Sequence, residues 1–165
     1  MDSEQDVYSV AGRVHDLFSE KGLTLSVAES CTGGLLSHCL TQRPGASSFF
    51  RAGVVAYSND AKRDILGVPG SVIGEHGAVS VENARAMAER IRAMAKTDYS
   101  LSTTGNLGPD VLEEKERGLV YIAVSGKSGT FAKEERFVGE RSSNKVLAAL
   151  EALKFLLDVA ASGSG

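Results

Sequence analysis

Short strand-like segments alternate with segments of helical period along the first two thirds of the chain, and this alternation restricts the folds that the chain can adopt. Residues 25–28 and 53–57 are rich in apolar side chains, residues 99–103 alternate apolar and polar side chains, and each segment ends at a polar or glycine-bearing turn. Apolar residues recur at spacings of three and four over residues 5–20 and 81–95, which indicates helices. Alternating strands and helices are typical of a sheet that is covered by helices on both faces.

The last third of the chain has a different pattern. Residues 119–124 are apolar throughout, as in a strand covered on both faces, whereas residues 130–138 are charged and resemble a hairpin partner at a sheet edge. Further helices are predicted over residues 32–42, from Ser58 to Leu66, and from near Ser142. The sequence therefore predicts a single-domain three-layer α/β/α sandwich with a mixed sheet over residues 1–161, with 162–165 as a flexible tail.

Charge and composition narrow the classes of function. Eighteen Lys and Arg against 21 Asp and Glu give a net charge of −3, so the sequence predicts neither a nucleic-acid partner nor an anionic membrane surface. No apolar run approaches the roughly 20 residues of a membrane span, and the acidic N-terminus does not resemble a secretion signal, so we expect a cytoplasmic protein. Cys31 and Cys39 lie eight residues apart on one predicted helix, which is too far for a disulfide, so we expect reduced thiols. No pair of Cys and His residues has the spacing of a zinc site, so we expect no structural metal.

The turn after the first strand is the strongest candidate for chemistry. Ser30 stands where the strand ends, and Gly33-Gly34 follow just before the predicted helix continues. A hydroxyl in such a turn points away from the sheet, and free N–H groups there can stabilise an oxyanion or bind phosphate. Ligands of α/β sheets bind at the carboxyl ends of strands, so the turns after Ala28, Tyr57 and Thr103 are predicted to meet in one cleft.

Each of these residues also has a structural alternative. Ser30 could simply cap a helix, Lys62 could be a solvated helix lysine, and Tyr57 could be a half-buried strand aromatic. Cys31 is a rival nucleophile, because a helix N-terminus lowers a thiol pKa, or else a small buried residue. Glu29 could hydrogen-bond a ribose or support the turn.

Several motifs in a fixed order carry a family resemblance. They are Ala28-Glu-Ser-Cys-Thr-Gly-Gly34, Pro44-Gly-Ala-Ser47, Gly53-Val-Val-Ala-Tyr-Ser-Asn-Asp-Ala-Lys62, His76-Gly-Ala-Val-Ser80, Thr104-Gly105 and Gly108-Pro109-Asp110. In these motifs the chain resembles the C-terminal domain family of the competence-damage-inducible protein CinA. Stand-alone members of that family include nicotinamide mononucleotide deamidase.

The resemblance implies hydrolysis of the amide of a pyridine mononucleotide, without a metal or cofactor. Ser30 would be the nucleophile, Lys62 the base and Tyr57 a proton relay. A serine needs such a base, because its free hydroxyl is almost wholly protonated near neutral pH. The expected substrate-binding residues are Glu29, Cys31, Thr32, Gly33, Gly34, Arg51, Thr104, Gly105 and Arg141. Among these, N–H groups of residues 31–34 would bind the oxyanion, and Arg141, the Thr104-Gly105 turn or Arg51 would bind the phosphate.

The loop over residues 105–118 departs from the family pattern. Active deamidases have Thr-Gly-Ile-Ala-Gly-Pro followed by a Gly-Gly segment, whereas this chain carries Val111, Leu112 and the carboxylates Glu113, Glu114 and Glu116. These residues could close the cleft differently or repel a phosphate. Two alternatives stay open: a non-catalytic module that binds a nucleotide or protein, and hydrolysis of another small amide.

Self-association is a further expectation. The helix predicted over residues 80–95 is rich in Ala and Met, and Met87 and Met94 lie off its main apolar stripe. We therefore expect a homo-oligomer formed through this helix.

Overall fold

The computed structural model describes residues 3–163. Its helices are α1 (Ser3–Lys21), α2 (Leu35–Leu40), α3 (Asn59–Asp64), α4 (Gly70–His76), α5 (Val81–Ala95) and α6 (Arg141–Ser162), with a short 3-10 helix at Ala46–Ser48. Its strands are β1 (Leu25–Glu29), β2 (Phe50–Val55), β3 (Tyr99–Gly105), β4 (Leu119–Gly126) and β5 (Gly129–Arg136).

The five strands form one mixed sheet in the order β2-β1-β3-β4-β5. Strand β1 pairs in parallel with both β2 and β3, and its carboxyl end therefore lies between theirs. Strands β3, β4 and β5 pair antiparallel, with β5 as the predicted edge of a late hairpin. The α/β class and the mixed sheet predicted from the sequence are confirmed, and the parallel half is the part that brings several strand ends together.

Alternating side chains of the strands build two different helix–sheet contacts. On one face, Val27 and Leu101 pack in the large core with α1, α2 and α6. On the other face, serines replace large apolar residues: the Ser100 hydroxyl donates to the Ala88 carbonyl at 2.5 Å and the Ser102 hydroxyl to the Ala84 carbonyl at 2.6 Å. These short side chains let α5 lie close to the sheet while their hydroxyls stay hydrogen-bonded. The sandwich therefore has three layers.

The structure differs from the predicted elements at two helices. The helix predicted over residues 32–42 begins only at Leu35, because Gly33 and Gly34 adopt left-handed backbone angles (φ 58° and 103°) that a continuing helix does not allow. Helix α4 was not predicted, since only Val72 and Ile73 of its residues pack against the core and no apolar stripe marks it.

The interface predicted on α5 is also revised. Met87 is fully buried in the core between α5 and the sheet, and only Met94 of the predicted pair is exposed. The methionines of this helix therefore do not form a shared surface for self-association.

The ends of the chain and its apolar segments complete the description. Helix α6 extends through Ser162, so this residue of the predicted tail is helical, while residues 164–165 of that tail lie outside the described residues. Within residues 3–163, no helix has both the length and the apolar character needed to cross a membrane.

Candidate active site

A cavity of about 250 Å³ lies where the ends of β1 and β3 meet the segment that follows β2. The predicted convergence of these three turns is confirmed. The cavity is lined by Ser30, Cys31, Tyr57, Ser58, Asn59, Lys62, Ala78, Val79, Thr104, Gly105, Asn106, Leu107, Leu112, Glu113 and Arg141. A second cavity of about 320 Å³, near Phe131 and Phe155, contains none of these residues.

Ser30 is held in the cavity wall by its backbone. Its N–H donates to the Thr103 carbonyl of β3 at 3.0 Å, and its carbonyl accepts the Gly33 N–H at 3.0 Å. The residue is 7% exposed. Its hydroxyl makes no hydrogen bond to another residue in the described range 3–163, so it is free to contact a bound molecule.

Lys62 is the buried cation of the cavity. Ser58 caps α3 by accepting the Ala61 N–H at 3.0 Å, and the resulting helix directs Lys62 inward, where it is 2% exposed. Its Nζ donates to the Tyr57 carbonyl at 3.0 Å. Burial lowers the pKa of Lys62 because desolvation disfavours the ammonium form, and the negative charge of Glu113 opposes this shift. The alternative of a solvated helix lysine is therefore wrong.

Tyr57 and Arg141 are joined at the mouth of the cavity. Tyr57 lies two residues beyond β2 and is 57% exposed, so the half-buried strand position predicted for it is wrong. Its hydroxyl accepts from Arg141 Nη2 at 2.7 Å, and Arg141 Nη1 donates to the Gly108 carbonyl at 2.7 Å. Lys62 thus contacts the carbonyl of Tyr57, whereas the phenol contacts Arg141.

Glu29 has a structural role that the sequence left open. Its fully buried carboxylate accepts five hydrogen bonds: from the Thr32 and Ser37 hydroxyls at 2.7 and 2.9 Å, and from the N–H groups of Gly34, Leu36 and Ser37 at 3.2, 2.9 and 3.1 Å. Three of these donors are N–H groups at the N-cap and first turn of α2, where N–H groups lack helical partners. Glu29 therefore supports the turn, and it does not line the cavity.

The glycines and Thr32 of this turn are likewise placed away from the cavity lining. The Thr32 hydroxyl is used by Glu29 and by Thr103, whose Oγ1 lies at 2.8 Å. The Gly33 N–H bonds to the Ser30 carbonyl and the Gly34 N–H to Glu29. Two of the four predicted oxyanion donors are therefore occupied. The N–H groups of Cys31 and Thr32 make no hydrogen bond to another residue within 3–163.

Cys31 is buried beside Ser30 and is 4% exposed. Burial raises the pKa of its thiol to about 12, since the apolar surroundings disfavour the thiolate. The expectation that a helix N-terminus would activate this thiol is wrong, because the helix begins only at Leu35. Cys31 is a small buried residue in the cavity wall.

Both cysteines are expected to resist alkylation in the folded protein at pH 8. Both are free and buried, and burial raises their thiol pKa values to about 12 for Cys31 and about 11 for Cys39. The reactive thiolate is therefore a minor species at this pH. Mass spectrometry after iodoacetamide treatment should find no modification in buffer and two modifications in urea. Rapid labelling of Cys31 in buffer would contradict the assignment.

The predicted phosphate-binding residues are only partly brought together. Thr104 and Gly105 line the cavity with Arg141, although the Thr104 hydroxyl already donates to the Ala78 carbonyl at 2.7 Å. Arg51 lies on the edge strand β2, is exposed, and donates to the Ser47 carbonyl at 2.8 Å. Arg51 does not line the cavity, so its proposed contact with a substrate phosphate is not supported.

Several lining residues were not singled out from the sequence. Ala78 and Val79 contribute backbone N–H groups, and their signal in the sequence is the motif His76-Gly-Ala-Val-Ser80. Its Ser80 hydroxyl caps α5 by accepting the Asn83 N–H at 3.1 Å. Asn106 holds the loop over residues 105–118, which differs from the family pattern. Its side chain accepts the Gly108 N–H at 3.1 Å and donates to the Lys115 carbonyl at 3.3 Å. No group of three or more His, Cys, Asp or Glu side chains with metal-binding geometry occurs in residues 3–163.

The parallel strand ends, the strand-end serine and the buried lysine define an α/β domain with a cleft at the carboxyl ends of its parallel strands. A family model described as the CinA C-terminal domain matches residues 7–160. The chain therefore belongs to the CinA C-terminal domain family.

Named relatives agree with this family. A CinA-like protein of Geobacter sulfurreducens is 46% identical over 141 residues, which cover 85% of this chain and 34% of that protein. A putative competence-damage inducible protein of Caldicellulosiruptor bescii is 47% identical over 141 residues, with 85% and 34% covered. The chain thus spans about a third of the length of these curated relatives.

Solved structures show the same fold. The competence damage-inducible protein A from Klebsiella pneumoniae superimposes with a TM-score of 0.91 at 30% identity, covering 94% of this chain and 97% of that one. The competence/damage inducible protein CihA from Agrobacterium tumefaciens has a TM-score of 0.89 at 35% identity, covering 93% and 94%.

Proposed function

We propose that the chain is an amidohydrolase that converts nicotinamide mononucleotide and water to nicotinate mononucleotide and ammonia. The observation that carries the proposal is the buried Lys62, with a lowered pKa, in the same cavity as the free hydroxyl of Ser30. A buried lysine that readily becomes neutral is an effective general base for a serine nucleophile. We also propose that the protein acts in the cytoplasm, as expected from the sequence.

In the proposed reaction, neutral Lys62 takes the proton of Ser30 as the Ser30 oxygen attacks the carboxamide carbon. The tetrahedral intermediate then collapses, and the C–N bond breaks as Lys62 returns the proton to the leaving nitrogen, which departs as ammonia. Water, deprotonated by Lys62, attacks the resulting ester. The nicotinate acid is released and the Ser30 hydroxyl is restored. The same lysine thus acts as base and acid in both halves.

The remaining groups of the cavity would stabilise charge. The N–H group of Cys31 is the proposed oxyanion donor, since Cys31 lines the cavity, whereas the N–H groups of Gly33 and Gly34 are occupied and Thr32 lies away from the lining. One such donor contributes about 10² to 10³ in rate. Lys62 contacts the carbonyl of Tyr57, so we assign proton transfer to Lys62 alone and propose that the phenol of Tyr57 and Arg141 orient the substrate.

A second candidate is a family member that binds a nucleotide or a protein without catalysis, or that hydrolyses a different small amide. The observation that favours it is the carboxylate of Glu113 in the cavity, at a place where the family has a glycine-rich loop. A fixed negative charge there opposes an anionic substrate.

The test is ammonia release from nicotinamide mononucleotide by the purified chain in the presence of a chelator. Ser30→Ala is the blank, and Ser128→Ala, in the exposed β4–β5 turn, is the matched serine control. The proposal expects release by the parent and the control but none by the blank. Equal release by parent and blank would exclude Ser30 as the nucleophile, whereas binding of the nucleotide with no release by the folded parent would exclude the amidase and favour the second candidate.

A further inference from the structure

The cavity that contains Ser30 also contains an anion supplied by the chain itself. Glu113 Oε1 accepts the N–H of Ala78 at 2.9 Å, and Glu113 Oε2 accepts the N–H of Val79 at 3.2 Å. Each carboxylate oxygen thus has its own backbone donor. Successive backbone N–H groups that point to one place are a common way for proteins to bind phosphate or carboxylate.

The surroundings of this carboxylate suit an anion. Lys62 is close enough for its charge to interact with that of Glu113. Gly77, with φ +82°, has no side chain at the point of contact, and a Cβ there would collide with the Glu113 carboxylate. Two backbone donors and the space left by a glycine therefore define one position in the cavity.

Glu113 lies in a loop segment that buries little apolar surface. The residue as a whole is exposed, and its neighbours Val111 and Leu112 are 66% and 51% exposed. Glu113 and Glu114 both adopt left-handed angles (φ 55° and 59°), which residues with side chains rarely adopt. A segment with so few buried apolar contacts can move without exposing the core. The carboxylate can therefore leave while the fold stays intact.

We propose that the N–H groups of Ala78 and Val79 form a phosphate subsite, and that the phosphate of a bound mononucleotide displaces Glu113 from it. This inference deepens the proposed function and relies on it for the identity of the nucleotide. A phosphate dianion carries more charge than a carboxylate and forms stronger charge-assisted hydrogen bonds. Glu113 then acts as an internal competitor, which lowers the apparent affinity by the fraction of time for which the subsite is free.

The test compares Glu113→Gln and Glu113→Ala with Glu114→Gln, which removes the same charge next to the subsite. Binding is measured by calorimetry in the Ser30→Ala background, with nicotinamide mononucleotide and with its dephosphorylated nucleoside. If Glu113 occupies the subsite nine tenths of the time, both Glu113 variants bind the mononucleotide about tenfold more tightly, whereas the nucleoside is unaffected. Unchanged affinity, an equal effect of Glu114→Gln, or equal tightening for the nucleoside would overturn the inference.

A second measurement does not depend on the nucleotide or on turnover. In Glu113→Ala, titration with inorganic phosphate is expected to shift the backbone ¹H–¹⁵N signals of Ala78 and Val79, with smaller shifts in the parent. Phosphate binding that leaves both signals in place would overturn the subsite. If the parent releases no ammonia but these signals respond to phosphate, the deamidase proposal fails while the subsite stands.

Discussion

Replacing Lys62 with methionine is expected to lower kcat for amide hydrolysis by at least about 10³-fold and to raise the free energy of unfolding. Methionine fills the same space but cannot take the proton of Ser30. In the parent, Lys62 is 2% exposed, and removing its charge from water lowers the free energy of unfolding. We expect stabilisation by about 1 kcal/mol or more. Steady-state kinetics and urea denaturation measure the two effects.

The pH dependence of both effects follows from the lowered pKa of Lys62. Catalysis needs the neutral amine, so kcat of the parent should rise with pH to a plateau, with a midpoint below the ordinary lysine value of about 10.4. Between the folded and unfolded pKa values the unfolded chain binds more protons, so the parent gains stability as pH rises through that interval. The gain in stability of Lys62→Met over the parent is therefore largest at pH values below the pKa of Lys62 in the folded protein. It decreases as the pH approaches about 10.4, the ordinary pKa of lysine.

Lys127→Ala is the matched control for this experiment, because Lys127 is an exposed lysine in the β4–β5 turn. It should change neither kcat nor stability measurably. Loss of activity in Lys62→Met accompanied by lower stability would indicate a structural lysine and contradict its role as a base.

Replacing Glu29 with alanine is expected to destabilise the protein by about 3 kcal/mol or more. The change removes the acceptor of five hydrogen bonds and leaves the N–H groups of Gly34, Leu36 and Ser37 without partners. Each buried donor left unsatisfied costs about 1–3 kcal/mol. Urea denaturation gives the difference, with Glu20→Ala, an exposed glutamate of α1, as the control. A loss under about 1 kcal/mol would contradict the capping role.

Glu29→Gln separates structural support from substrate contact. Glutamine keeps one acceptor oxygen but introduces an NH₂ group toward the donors of α2, so we expect a loss of stability smaller than that of the alanine variant. KM for the mononucleotide should stay close to that of the parent once folded protein is measured. A large rise in KM with unchanged stability would instead place Glu29 at the ribose.

The sequence predicted the site most successfully where local pattern and strand topology agree. The segment before Ser30 reads as a strand, and the carboxyl end of a parallel strand is a known location for ligands. Ser30, Tyr57 and Lys62 accordingly line one cavity. The prediction was weaker for Glu29 and Thr32, because a polar residue next to a turn can face either a ligand or the backbone of that turn. Only the position of α2 relative to β1 decides between them.

The proposed phosphate contacts were harder to predict for a related reason. Arg51 carries the appropriate charge, but it lies on an edge strand and points to the Ser47 carbonyl. Ala78 and Val79 have no polar side chain, yet their backbone N–H groups face the cavity and bind Glu113. Side-chain chemistry is visible in a sequence, whereas the direction of a backbone N–H is not.

The sequence by itself determined the fold class, the family and the serine and lysine of the site. These depend on the spacing of apolar residues and on motifs that lie close together along the chain. The tertiary structure alone decided that Lys62 is buried, that Glu29 caps α2 and that Glu113 occupies the cavity. Burial and hydrogen bonding are properties of the surroundings of a group. Contacts such as that between Glu113 and Ala78, 35 residues apart, exist only once the chain has folded.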